Sequence, residues 1–283
     1  MVRKRISEQP TSRLAIWARR IALFSLAATF VAVIILGSGA LDLVPALSTL
    51  ISALALAVVA IVLAFAAGVA IWMEGVGGIR EALTAFFVGL ALIAYPVYLG
   101  LKAYRLPAIY DVTTDPIDPP RFEAIGRLRP RDANPVTYAG LYIAELQRTA
   151  YADIKPDFTD ASPLEAYNAV IKVVTKRRWK IVDARSPQEG VSHEGHVEAI
   201  ARTPIIGFPI EDIVVRIRAT PDGARIDVRS ASRYGRHDLG ANAAHVNALI
   251  EDVDDVLGTP APEKKLPAPK PNQTAGKGIP VKR

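Results

Sequence analysis

Residues 224–242, ARIDVRSASRYGRHDLGAN, hold a dense group of side chains that could do chemistry. The residue types of a hydrolytic triad are all present: Ser230, Ser232, His237 and Asp238. However, no G-x-S-x-G sequence surrounds either serine, and the adjacent His237 and Asp238 project in different directions, so they are poorly placed to act in series. The pattern therefore does not favour a serine hydrolase.

A metal site on a strand is a second candidate for chemistry. Glu194, His196 and Glu198 alternate along the chain, and alternate residues of a strand share one face. Together with the nearby His193 they are ligand types that zinc accepts. A half-exposed polar strand explains the same pattern equally well. A metal-assisted hydrolase with His196 and Glu198 as ligands is therefore kept as an alternative, and no cofactor is predicted.

Three aspartates, Asp111, Asp115 and Asp118, offer oxygen atoms of the kind that bind calcium. They lack both the glycine-centred loop and the closing glutamate of a calcium site. The prediction for these side chains is solvated turn carboxylates.

Arginines dominate one face of the predicted C-terminal sheet. Strand alternation places six arginines and two acids there: Glu198, Arg202, Arg216, Arg218, Arg225, Asp227, Arg229 and Arg233. One interpretation is a solvated face with cross-strand ion pairs, and another is a structural ladder beneath the preceding proline-rich segment. A third is anion recognition, since guanidinium groups match phosphate and carboxylate oxygens. The predicted anion-binding or partner-binding residues are Arg216, Arg229, Arg233, Arg236 and Asp238.

A small α+β domain at residues 161–258 should position these side chains. Ser162 is predicted to cap a first helix, with Pro163 at its first position. Four strands follow, at 179–184, 196–202, 213–219 and 225–232, with a hairpin turn at 221–223. Asp238 is predicted to cap a closing helix that begins at Leu239. The expected fold is an antiparallel sheet with both helices on its apolar face.

Two proline-rich segments flank this domain. Residues 103–160 contain seven prolines and are predicted to form an extended linker packed on the domain, with a short helix at 139–151. Residues 259–283 contain six prolines and almost no large apolar side chains. This tail is predicted to be disordered.

The first hundred residues predict a membrane anchor. Residues 21–41, 46–73 and 82–101 are free of charge, and each segment is long enough to cross the hydrocarbon core of a bilayer. Three buried helices of a soluble protein would need a large domain around them. Three N-terminal transmembrane helices are therefore predicted, with a cleaved signal peptide ending near 38–40 as the alternative for the first.

The charges around the helices predict their orientation. Six Lys or Arg residues precede the first helix and Arg80 lies in the second loop, whereas the first loop has none and only Lys102 and Arg105 follow the third helix. Positive loops face the cytoplasm. The expected topology is a bacterial inner-membrane protein with a cytoplasmic N-terminus and a periplasmic C-terminal domain.

The overall charge excludes one class of partner. The chain has 283 residues, 51% of them hydrophobic, and a net charge of +6. Residues 1–20 and 259–283 each carry +5, whereas 161–258 carry thirteen basic and fourteen acidic side chains. A nucleic-acid-binding domain is therefore not expected. The absence of cysteine excludes disulfides and thiolate metal sites.

Three stretches carry a resemblance to a known family. DPIDPPRF at 115–122, GFPIEDIVVRIR at 207–218 and DVRSASRYGRHDLGAN at 227–242 resemble the signatures of the domain of unknown function fourteen-ninety-nine family, found in bacteria and plastids. The likeness covers roughly residues 107–257. It implies a domain that is commonly attached to a membrane or secreted, with no established activity. Members often have a basic residue in the final helix, where this chain has His245.

The sequence thus predicts a non-catalytic, membrane-anchored envelope protein that presents a binding or structural domain. Expected partners are the lipid bilayer and an anionic envelope polymer, a lipid headgroup or another envelope protein. The alternative is a metal-assisted hydrolase tethered to the membrane.

Overall fold

The computed structural model describes residues 10–38, 40–187, 194–202 and 209–258. Several predictions from sequence concern residues outside these ranges. They are the disordered tail at 259–283, the first nine residues with three of the basic side chains, and His193. Gly39, at the alternative cleavage site, also lies outside the described residues.

Three long helices begin the described chain: α1 Arg13–Ser38, α2 Leu43–Glu74 and α3 Ile79–Arg105. Each contains a window that is long and apolar enough to cross a membrane. The prediction of three such helices is confirmed, and the arrangement fits a membrane anchor. The helices extend beyond the predicted limits because charged residues at their ends, such as Arg13 and Lys102, continue the helical backbone past the apolar stretch.

The three helices pack through small side chains. One buried cluster draws alanines from all of them: Ala18, Ala22, Ala60, Ala64 and Ala85. Small residues let helix backbones approach closely. Large apolar side chains point away from this contact, and Phe65 is 73% and Trp72 90% exposed. Such an outer surface suits lipid and would be an unfavourably large apolar patch in water.

The two ends of the helical bundle contact different parts of the chain. A cleft of about 450 Å³ is lined by Asp42 and the first residues of α2 on one side and by Arg233 and Tyr234 of the C-terminal domain on the other. At the opposite end, Thr11 pairs with Gly77 in the α2–α3 connection. The α1–α2 connection therefore lies on the same side as the domain, as three crossings require.

The domain consists of six strands and four helices within the described residues. In chain order they are β1 Asp111–Thr113, α4 Ile125–Leu128, α5 Leu141–Ala150, β2 Asp157–Thr159, α6 Pro163–Lys176, β3 Lys180–Arg185, β4 Glu194–Arg202, β5 Pro209–Thr220, β6 Gly223–Ser232 and α7 Ala241–Gly258. The strands form one antiparallel sheet in the order β1-β6-β5-β4-β3, and β2 also pairs with β6.

The α+β prediction is confirmed, but the predicted number of strands was wrong. The two additional strands, β1 and β2, lie in the proline-rich linker and pair with β6. Val112 lies opposite Ser230, and Phe158 lies opposite Arg225. Each strand has three residues. A segment of that length is too short to show the alternation from which strands are predicted.

Both long helices of the domain, α6 and α7, pack on one face of the sheet, as predicted. Val173 of α6 and Leu249 of α7 are fully buried in a core with Val215 of β5 and Val228 of β6. The strands contribute seven alternating apolar residues to this core: Val197, Ala199, Ile213, Val215, Ile217, Ile226 and Val228.

Local sequence signals determine two features of this layer. The Ser162 hydroxyl accepts the Glu165 N–H while the Glu165 carboxylate accepts the Ser162 N–H, which forms a capping box at the start of α6. Thr220 pairs with Gly223, so that two residues form the predicted hairpin turn. A side chain at Gly223 would meet the Thr159 carbonyl oxygen at 2.1 Å, so close pairing with β2 requires glycine there.

The other face of the sheet is covered by residues 111–138, which we call the covering segment. It begins as the edge strand β1 and continues over the side chains of β4, β5 and β6. A second, small apolar cluster packs this segment against the sheet. It consists of Phe122, Ile125, Ile200, Val214 and Ala231, with Val136 packed against it. The interpretation of a solvated face was therefore wrong. Phe122 and Ile125 precede the four predicted strands in the sequence. No pattern in the residues around them indicates that they contact the sheet.

Candidate functional site

The face beneath residues 111–138 is the candidate site, and we call it the arginine face. It consists of Arg216, Arg218, Arg225, Arg229 and Arg233 with the carboxylates that contact them. Alternation along β5 and β6 directs these side chains away from α6 and α7. Arg216, Arg229 and Arg233 are buried and Arg218 and Arg225 are partly exposed, so the buried charges require partners.

At the centre of this face, Arg229 and Asp111 form a buried ion pair. The Arg229 Nε and Nη2 atoms donate to the two Asp111 oxygens at 2.9 and 2.7 Å. Nη1 donates to the Pro120 carbonyl oxygen and Nη2 to that of Val136. The guanidinium carbon also lies 4.8 Å from the centre of the Phe122 ring. Arg229 is 2% and Asp111 0% exposed, so the prediction of a solvated Asp111 was wrong.

A second group of charges surrounds Asp227, where three arginines meet three carboxylates. Its members are Arg216, Arg218, Arg225, Asp115, Asp118 and Asp227. Asp227 accepts from all three arginines at 2.9–3.0 Å. Burial alone would raise the pKa of Asp115, but the Asp118 N–H and the charge of Arg225 lower it below its usual range. The group is electrically balanced and ties residues 115–118 to the sheet.

A third ion-pair group is centred on Asp212 of β5, which is fully buried. Arg233 donates to both of its oxygens at 2.8 and 3.1 Å, and Arg129 donates to one of them at 2.7 Å. Arg129 also bonds the carbonyl oxygen of Asn134 at 2.8 Å. These bonds attach the far end of the covering segment to the sheet.

Both residues of the predicted metal site, His196 and Glu198, lie on this side of the sheet. With Asp183 of β3, which sequence reasoning missed, they can place ligand atoms within 4.8 Å of one another. The Glu198 carboxylate, however, accepts the N–H groups of Glu123, Ala124 and Ile125 at 2.6–3.0 Å. These bonds hold the start of α4.

Hydrogen bonds also control the charge of Glu198. Burial would raise its pKa, but the bond with His196 and the three backbone N–H groups lower it to about 2. The His196 Nε2 atom lies 2.9 Å from Glu198 Oε1. Since Glu198 is 0% exposed and four donors occupy its oxygens, a metal ion would have to displace some of these bonds.

The triad residue types at the end of β6 do not form a catalytic series. The Ser230 hydroxyl donates to the Asn242 side-chain oxygen at 2.7 Å, and Asn242 Nδ2 donates to the Ser232 hydroxyl at 3.0 Å. His237 Nδ1 accepts the Leu239 N–H, so its Nε2 carries the proton and donates to the Ala103 carbonyl oxygen at 3.0 Å.

The turn before α7 has a structural role. The Asp238 carboxylate accepts the N–H groups of Gly240 and Asn242 at 2.8 and 3.0 Å. This confirms the predicted helix cap, although α7 begins at Ala241 rather than at Leu239. Burial raises the pKa of Asp238, and the Gly240 N–H opposes that rise. Arg236, the remaining predicted site residue, is exposed.

Two titratable residues outside the predicted site, the buried Glu211 and the half-buried His245, also have shifted pKa values. Burial raises the pKa of Glu211 to about 7, and the charges of Asp238 and Asp212 act in the same direction. Burial lowers the pKa of His245 to about 4, with Arg177 adding to the effect, so His245 is neutral. Glu211 continues the alternation of Ile213, Val215 and Ile217 along β5, so the strand pattern was the signal for its burial.

A cavity of about 440 Å³ opens beside Arg229, and we call it the Arg229 cavity. Its lining includes Asp118, Pro119, Arg121, Phe122, Val136, Tyr138 and Arg229. The Tyr138 hydroxyl is buried, and no other described residue provides it with a hydrogen bond. Burial raises the Tyr138 pKa to about 12, with the charge of Asp111 contributing.

Comparison with known proteins identifies a family. The model of the family described as "Protein of unknown function (DUF1499)" matches residues 111–253. No curated protein matches the chain. The matched range begins at the first residue of β1 and includes the three stretches that carried the resemblance, which is thereby confirmed. The segment that covers the arginine face therefore lies within the matched unit.

Proposed function

Because this chain belongs to the DUF1499 family of proteins of unknown function, we propose a role from the geometry of its own residues. The protein is a non-catalytic envelope component in which three membrane helices present a binding domain outside the cytoplasm. The observation that carries this role is that the buried carboxylates, which could otherwise bind a metal or act in catalysis, already accept hydrogen bonds from within the domain. Asp111, Glu198 and Asp212 are each engaged by internal donors, and the carboxylates of the arginine face hold a covering segment in place.

The alternative, a metal-assisted hydrolase, rests on Asp183, His196 and Glu198. A catalytic metal needs an open coordination position for water or substrate. Glu198 is fully buried and anchors the start of α4, so the arrangement supports a structural role better than a catalytic one.

Metal content tests the choice between these roles. We expect purified full-length protein, after incubation with zinc and removal of excess metal, to contain far less than one zinc ion per chain by elemental analysis. His196→Asn removes a ligand of the alternative site and serves as the matched control. Stoichiometric zinc in the wild type that is lost in His196→Asn would reject the non-catalytic role.

The proposed orientation follows from the basic residues before and at the start of α1 and from Arg80 in the first turn of α3. We place the domain in the bacterial periplasm and the N-terminus in the cytoplasm. A reporter that is active only after export, fused behind Arg283, should therefore be active. The same reporter fused behind Gly77, between α2 and α3, should be inactive, since it lies at the opposite end of the bundle. The reverse pattern would place the domain in the cytoplasm.

The proposed partner classes are the lipid bilayer around the helices and an anionic envelope molecule or another envelope protein at the domain. The balanced charge of residues 161–258 supports a partner other than nucleic acid. Arg236 is the exposed member of the predicted binding residues and is available to such a partner without breaking an internal pair.

A further inference from the structure

We propose that the Arg229 cavity binds an oxyanion, that is, a phosphate or carboxylate group of a larger molecule. This inference rests on the proposed binding role of the domain and adds a location and a ligand chemistry to it. It is carried by two hydrogen-bond donors that remain unused in the cavity, by an unpaired positive charge at its rim and by apolar walls.

The first donor belongs to Arg229. A guanidinium group has five N–H bonds. Four of them go to Asp111, Pro120 and Val136. The fifth remains on Nη1, and Arg229 lines the cavity. Because Arg229 is 2% exposed, its position is already fixed before any ligand arrives.

The second donor is the Tyr138 hydroxyl. It is buried and lacks a hydrogen-bond partner within the described part of the chain. Its ring lies 5.4 Å from the Arg229 guanidinium carbon, which brings the two donors to the same cavity. Since its pKa is about 12, Tyr138 stays protonated near neutral pH and can donate but does not carry a charge. A buried hydroxyl without a partner is uncommon in folded proteins, and a bound acceptor in the cavity would supply the partner.

The charges around the cavity favour an anion over a cation. Arg229 is neutralised by Asp111, and Asp118 is bonded to Arg216 and Arg218. Arg121 lies exposed at the rim and has no ion-pair partner among the residues that the structure describes. It leaves one uncompensated positive charge, which can approach a ligand that the two inner donors hold.

The walls indicate that the oxyanion belongs to a larger molecule. Pro119, Phe122 and Val136 supply apolar surface beside the donors. Such surface excludes water and thereby strengthens hydrogen bonds to the bound group. The volume of about 440 Å³ falls within the range of small-molecule sites. A molecule that carries an oxyanion next to an apolar group therefore matches both the hydrogen-bond donors and the apolar walls of the cavity.

Calorimetry with the full-length protein in nanodiscs of zwitterionic lipid tests the proposal. Inorganic phosphate and acetate are the probes, and chloride at equal ionic strength is the reference. We expect saturable binding of phosphate or acetate. Tyr138→Phe and Arg121→Gln should each weaken it by about fivefold or more, the effect of losing one hydrogen bond or charge contact.

Two control variants match these changes in chemistry. Tyr151→Phe removes another buried hydroxyl without a partner, outside the cavity. Arg131→Gln removes an exposed charge that does not line the cavity. Both should bind like the wild type. Tyr138→Phe and Arg121→Gln break no internal bond, so their melting temperatures should match the wild type and a loss of binding cannot be ascribed to unfolding.

A second arm identifies the source of the oxyanion. If a lipid headgroup occupies the cavity, nanodiscs with phosphatidylglycerol at high ionic strength should weaken phosphate binding in the wild type. If the source is a soluble molecule, phosphate binding should be unchanged.

The absence of saturable binding, or equal binding by the cavity and control variants, would overturn the proposed site. Either result would leave the tests of orientation and metal content unaffected, since neither depends on Tyr138 or Arg121.

Discussion

Replacing Asp111 by alanine should lower the free energy of unfolding of the domain by about 3–5 kcal/mol, because the Arg229 guanidinium would remain buried without its carboxylate. Arg229 donates two hydrogen bonds to Asp111 at 2.7 and 2.9 Å, and both side chains are buried. For a domain of this size the loss corresponds to a melting temperature lower by roughly 6–20 °C. Thermal melting of the full-length protein in detergent, followed by near-ultraviolet circular dichroism, measures it.

Two further variants make this result specific. Asp111→Leu combined with Arg229→Met removes both charges, so the double variant should be more stable than Asp111→Ala. Arg185→Gln breaks ion pairs with Glu123 and Asp183 in which all the side chains are partly exposed, and it should cost about 1 kcal/mol or less. If Asp111→Ala has the same melting temperature as Arg185→Gln, the buried pair does not hold the covering segment in place.

The second large effect is expected at Glu198. Glu198→Ala should destabilise the domain by about 3–5 kcal/mol, because three backbone N–H groups at the start of α4 and the His196 ring lose their acceptor. The same melting experiment measures this loss. Limited proteolysis should then cleave near residues 121–129, which the carboxylate holds against the sheet. An unchanged cleavage pattern would contradict the anchoring role.

The shifted pKa of Glu198 also predicts the pH at which this stabilisation is lost. Its pKa falls from 4.5 to about 2 on folding, so the folded state favours the charged carboxylate. The contribution is complete above pH 4.5 and disappears as the pH falls towards 2. Glu198→Gln should therefore show a weaker loss of stability over this range than the wild type. Glu145→Gln, in an exposed ion pair, should retain the wild-type dependence.

The sequence predicted the layer formed by α6, α7 and the long strands because its signals are local. The Ser162-Pro163 start, the two-residue turn before Gly223 and the alternation of Val215 and Ile217 each depend on residues close in the chain. Such signals identify an element and the face it buries without reference to the remainder of the molecule.

The covering segment could not be predicted in the same way. Asp111 meets Arg229 across 118 positions and Arg129 meets Asp212 across 83, and nothing near either partner identifies the other. The alternation correctly placed Arg216, Arg229 and Arg233 on one face. It could not show whether water, a ligand or the chain itself covers them. The ladder beneath the proline-rich segment, one of the three interpretations, is the one that the contacts match.

The Arg229 cavity depends on the same long-range contacts. Tyr138 has no distinguishing sequence context, and its significance arises from a buried hydroxyl beside a guanidinium with one unused N–H. Among the predicted site residues, Arg229 is the one that lines this cavity on the covered face.

The pairing of β1 with β6 also determines when the domain can become complete during synthesis. A ribosome adds roughly 5–20 residues per second, so Asp111 is synthesised about 6–24 seconds before Arg229, 118 positions later. During this interval the carboxylates and apolar side chains of residues 111–138 lack the sheet against which they pack in the folded domain. Contacts between such distant positions also slow folding. The nascent chain therefore passes through a stage in which the covering segment is exposed beside the bilayer, and protection from premature association or proteolysis matters most at that stage.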